Sequence, residues 1–106
     1  MREPLKTVSE IIARSNDSLY QKHPHIDTII GIMDKALRQQ GMNSDAITIE
    51  CPAQNKKIVF LLHDEKPDYI SIAVGDKTGN VETSSEIGLE NFSETMLMVM
   101  LEMHFT

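Results

Sequence analysis

The sequence predicts an α+β domain: a three- or four-stranded antiparallel meander packed by two N-terminal helices and one C-terminal helix. Three features of the chain lead there. Helical spacing of apolar residues occupies both ends, an alternating pattern fills the middle, and tight turns rather than crossover helices separate the middle segments. At 106 residues the chain has the size of one domain, so residues 1–106 are read as a single unit.

The first helix is signalled by Thr7-Val8-Ser9-Glu10, a capping-box pattern that places its start near Val8. Val8, Ile11, Ile12, Leu19 and Tyr20 follow at helical spacing, with the small residues Ser15 and Asn16 where another apolar turn belongs. His23-Pro24 ends it, because proline disfavours the α conformation of the residue before it. Pro24 also suits the first turn of a second helix. The stripe Ile26, Ile29, Ile30, Met33 and Leu37 fits a period of 3.6, Asp34 and Arg38 can pair one turn apart, and Gly41 supplies a left-handed stop.

Beyond Gly41, Ile47, Ile49 and Cys51 alternate with Thr48 and Glu50 until Pro52 closes the strand. Lys57–His63 is apolar on both faces, with Ile58, Phe60 and Leu62 on one side and Val59 and Leu61 on the other, so it belongs inside the sheet. Tyr69–Val74 presents Ile70, Ile72 and Val74 to one side and runs into the turn Gly75-Asp76-Lys77-Thr78-Gly79. A short strand at Val81–Thr83 follows, then a loop over residues 84–91 pinned by Ile87 and Leu89. Asn91 and Glu94 form a capping pair for a last helix starting near Phe92, apolar around its whole circumference between Met96 and Phe105.

Charge narrows the classes of function. Residues 1–40 carry six basic against five acidic side chains, whereas residues 41–106 carry four against eleven, so the second part holds essentially all of the net −6. Lys56-Lys57 is the one basic pair in that part, which argues against a nucleic-acid partner. The N-terminus lacks the apolar run of a signal peptide, nothing approaches a membrane span, and the lone Cys51 fits a reducing compartment; a cytoplasmic protein is expected.

No stretch carries a cofactor, metal or catalytic signature, and none of the three is assigned. Met96, Met98, Met100 and Met103 beside His104 invite a soft-metal reading, but Leu97, Val99 and Leu101 interleave with them and packing explains the run better. His23, His25 and Asp27 could hold a divalent ion only with a further strong ligand, which the neighbouring sequence does not supply. Cys51 and His63 lie on strands that can neighbour each other, yet Cys51 continues an inward stripe.

Asp64, Glu65 and Asp68 make an acidic turn, and Glu82, Glu86 and Glu90 recur every four residues. Without the alternating Asp/Asn loop of a calcium site, these carboxylates suit a basic protein partner. The doubly apolar Lys57–His63 strand and the all-round apolar last helix exceed what so short a chain can cover, so a homodimer is expected through Met96, Val99, Met100 and Met103 or through the sheet face left open. The expected function is an acidic protein-binding module with a regulatory role. The alternative is a small enzyme or ligand carrier using His63, Tyr69 or Cys51 in a pocket between sheet and helices.

Overall fold

A computed structural model describes residues 3–33 and 35–106. Two long helices, α1 (Glu3–Lys22) and α3 (Glu94–Phe105), pack on one face of a five-stranded antiparallel sheet. Its strands are β1 (Ile29–Met33), β2 (Ser44–Cys51), β3 (Lys56–His63), β4 (Tyr69–Gly75) and β5 (Val81–Gly88), and they lie side by side in chain order. A four-residue helix, α2 (Ala36–Gln39), links β1 to β2, and single 3₁₀ turns follow β2 and β5. The α+β class and the antiparallel meander agree with the sequence; strand number and helix arrangement differ.

The largest correction concerns the second helix, which is replaced by β1 and the short α2. The run Ile29-Ile30-Gly31-Ile32 combines three β-branched side chains, which are stiff in a helix, with a glycine that weakens one. Pairing with β2 then decides the outcome: Ile30 sits opposite Ile49 and Ile32 opposite Ile47 in an unbroken register. Gly31 also suits the close approach of β2, since a Cβ there would stand 3.0 Å from Thr48 Oγ1, which would have to give way. Only the end of the expected helix survives, where Met42 N–H donates to Leu37 and Gly41 N–H to Arg38 around a positive φ at Gly41, a Schellman stop. Asp34 lies outside the described residues; Arg38 pairs with Asp45 and Asp64.

Other boundaries shift as well. α1 begins at Glu3 and runs through Thr7, so the capping box at Thr7–Glu10 is not a helix start. Buried Leu5 explains this, because it adds an earlier apolar turn in line with Val8 and Ile12. Strand β5 extends through the segment read as a loop, to Gly88. Ser93, not Asn91, caps α3 by accepting the Met96 N–H at 3.1 Å.

The core lies between the helices and one sheet face. From β2, β3 and β4 it takes Ile47, Ile49, Cys51, Ile58, Phe60, Leu62, Ile70, Ile72 and Val74, the stripes that alternation picks out. α1 adds Leu5, Val8, Ile12 and Leu19, and α3 adds Leu97, Leu101 and Phe105. The helices run in the same direction: Arg14 pairs with Glu94, and eight residues further along each helix Lys22 pairs with Glu102. Ser15 fills the missing apolar turn of α1, fully buried, with a hydroxyl that has no hydrogen-bond partner among the described residues. Because a buried unpaired hydroxyl costs about 1–3 kcal/mol, Ser15→Ala is expected to raise the urea midpoint, with a gain on the order of 1 kcal/mol; a loss of that size would contradict this packing.

The β4–β5 turn is organised by Asp76. Its carboxylate accepts from Thr78 N, Thr78 Oγ1, Asn80 N and Asn80 Nδ2, and the Thr78 side chain leads in pulling its pKa down to about 2. A carboxyl group whose folded pKa is depressed adds stability above its unfolded value near 3.9 and loses it as pH falls toward the folded value. The stability advantage of the wild type over Asp76→Asn is therefore expected at pH 5–7 and to shrink between about pH 4 and pH 2. Denaturant unfolding across that range checks it; a pH-independent difference would contradict it.

Candidate functional site

Because α1 and α3 both join the core on one face, the other sheet face is left without a helix over its centre. The register places two cross-strand rows there. One runs Gly31, Thr48, Val59, Ala73, Ser84 and holds no charge; the next runs Met33, Ala46, Leu61, Ser71, Glu86. Antiparallel sheets with one wet face ordinarily turn polar side chains outward. On β3 this sheet turns Val59 and Leu61 outward instead, half-buried and outside the core cluster. Small side chains flank them, Thr48 and the fully buried Ala46 on β2 and Ser71 and Ala73 on β4, so the pair stands as a low ridge.

A hollow lies at each end of this ridge. One, of about 170 Å³, is bounded by Lys57, Val59, Ala73 and the 76–81 turn. The other is an open cleft of about 480 Å³ lined by Met42, Ser44, His63, Lys66, Ser71 and Glu86. Ser44 Oγ and His63 Nδ1 lie 2.8 Å apart in its wall. Behind it, Arg38 donates to both carboxylate oxygens of buried Asp45 and of Asp64, which clamps α2 to β2 and to the end of β3. Those two carboxylates, Asp64 foremost, raise the Arg38 pKa and hold it charged.

The acidic residues singled out by the sequence divide into two groups. Asp64 pairs with Arg38, Glu82 with Lys56 and Glu86 with Lys66, so half of the set is neutralised within the chain. Among the described residues no cation pairs with Glu65, Asp68 or Glu90. These come together at the His63 end of the sheet, where Leu89 N–H donates to the Asp68 carbonyl.

The proposed self-association helix divides likewise. Met96 and Met100 pack against the core, while Val99 and Met103 remain 58% and 70% exposed.

His63, Tyr69 and Cys51 do not converge. Cys51 is buried on the helix side at one end of β2, whereas His63 lies on the opposite face at the other end, beside exposed Tyr69. The space between sheet and helices at the His63 end is a hollow of only about 50 Å³. His23 is engaged by Glu102 at 3.1 Å, and with Lys22 it draws the Glu102 pKa below the usual carboxylate range. His25 meets His23 edge-on at 6.2 Å. Among the described residues no group of three or more His, Cys, Asp or Glu side chains assembles as a metal site, and no helix is long and apolar enough to cross a membrane.

Sequence reasoning missed Ser44 and Asp45, and it gave Arg38 a different partner, Asp34. Their partners lie up to 26 residues away, and no local pattern announces such pairings. Comparison of the chain with protein-family models, with curated proteins and with solved structures finds no match.

Proposed function

We propose that this protein is a non-enzymatic, acidic protein-binding module that receives its partner on the sheet face opposite the helices. The observation that carries this reading is the outward placement of Val59 and Leu61 on the central strand, with only uncharged side chains beside them on β2 and β4. A hydrophobic centre with a polar rim is the anatomy of a protein interface. Glu50 and Lys57 bound one end, and Glu65, Asp68 and Glu90 collect at the other, where they favour a partner with basic groups at its edge.

Retention of a stoichiometric partner by the whole chain in its native host tests the proposal. Val59→Lys and Leu61→Lys are each expected to lower affinity for that partner at least about 30-fold, the effect of losing an interface anchor, while circular dichroism stays that of the wild type. Reversing Glu65, Asp68 and Glu90 together is expected to slow association and flatten its salt dependence. A partner held equally by the lysine variants would refute this docking face.

A further inference from the structure

The two edges of the sheet are built differently. β5 carries Glu82, Thr83, Ser84, Ser85 and Glu86, all exposed, and its register with β4 shifts between Val74 and Gly75. Charges and bulges of this kind discourage an edge from accepting another strand. β1 has neither. It reads Ile29-Ile30-Gly31-Ile32-Met33, pairs with β2 without a shift, and leaves Ile29 59% and Ile32 43% exposed. Alternate N–H and C=O groups along its free side point away from β2.

We infer that β1 pairs antiparallel with β1 of a second copy of this chain, about a two-fold axis at Gly31, joining two sheets into one of ten strands. The sequence around Gly31 is self-complementary in that arrangement. Ile30 falls opposite Ile32 of the partner subunit, and Ile32 opposite the partner's Ile30, so four half-exposed isoleucines on the helix side cover one another. Ile29 faces the partner's Met33 on the other side. Glycine at the axis keeps the centre free of side chains where the two strands meet.

The flanking charges match as well. Exposed Asp27 lies four residues before Gly31 and exposed Lys35 four residues after it, so the two-fold brings each Asp27 to the same end of the joint as the partner's Lys35. A chain of net charge −6 repels its own copy in general, and the uncharged strand Ile29–Met33 is where two copies approach with no side-chain charge between them. Val99 and Met103 of α3 form a competing apolar surface, but they offer neither free backbone groups nor a charge pattern that closes on itself.

The inference concerns the free edge of β1, whereas the docking face is centred on Val59 and Leu61 of β3, so variants at the two places fail separately. Sedimentation equilibrium of the whole chain is expected to give twice the 12.0 kDa monomer mass. Ile30→Lys is expected to give monomer with an unchanged circular dichroism spectrum. Asp27→Lys and Lys35→Asp, both at exposed positions, are each expected to weaken dimerisation about tenfold, because each makes both flanking pairs repulsive. Mixing these two single variants is expected to restore a dimer, as is combining them in one chain, since opposite charges then face each other again. That rescue is specific to this two-fold. A wild-type chain that stays monomeric at about 100 μM would overturn the inference and leave the docking face standing. A dimer dissolved by Val99→Lys or Val59→Lys but indifferent to Ile30→Lys and the charge swaps would overturn it too.

Discussion

Replacing Phe60 by alanine is expected to remove about 3–5 kcal/mol of unfolding free energy, while Leu61→Ala, one residue along the same strand, removes less than about 1 kcal/mol. Phe60 is fully buried at the centre of β3, between Ile47 and Ile72, with Phe92 edge-on at 5.8 Å. Its removal opens a cavity that helices and sheet would both have to collapse to fill. Leu61 points to the face that neither long helix covers, where truncation leaves a shallow surface rather than a void. Urea unfolding of both variants checks the contrast. Equal losses would mean that both sheet faces are enclosed, and the outward surface would lose its meaning.

Gly75→Ala is the second large effect. A methyl group there would stand 2.2 Å from the Asn80 carbonyl oxygen and 3.2 Å from Val81 Cα, and both obstacles are backbone. Asp76 N–H donates to that same carbonyl, so the chain cannot retreat without opening the turn that the Asp76 carboxylate organises. The expected cost is about 2–3 kcal/mol, in the range of overpacked sites. Gly88→Ala is the control: its nearest obstacles are side-chain atoms at 3.6–3.9 Å, and it is expected to be nearly neutral. Matching urea midpoints for the two variants would contradict the turn geometry.

The legible part of this fold was the part with one wet and one buried side. Ile47, Ile49 and Cys51 in β2 and Ile70, Ile72 and Val74 in β4 alternate because they share the face of the sheet that the helices cover, and all six are buried as their spacing requires. The two-sided apolar pattern of β3 placed it inside the sheet, where it is the third of five strands. β1 was misread because its isoleucines also satisfy a helical period, and only pairing with β2, some twenty residues away, separates the two readings. β5 was truncated for the opposite reason. Its residues from Val81 to Glu86 are exposed on both faces, so no apolar alternation records the strand.

The candidate surface was legible in its chemistry and not in its place. An excess of apolar surface was visible in Val59, Leu61 and the last helix, but a helix periodicity cannot show which turns a neighbouring helix covers. α1 and the core take Leu97, Leu101 and Phe105, leaving Val99 and Met103 outside as a small remnant. The exposed isoleucines Ile29, Ile30 and Ile32 lie on β1, whose spacing also fits an amphipathic helix. The acidic residues themselves were visible in the sequence, while the pairing of three of them with Arg38, Lys56 and Lys66 depends on register and could not be read locally.

Backbone hydrogen exchange of the wild-type chain, followed at dilute and at high protein concentration, tests most directly that the sheet rather than the helix layer is where this protein meets another. The account predicts that amides of β1 gain protection as concentration rises while those of β5 and α3 do not change. Protection gained along α3 around Val99 and Met103, with β1 exchanging at the same rate throughout, would contradict it.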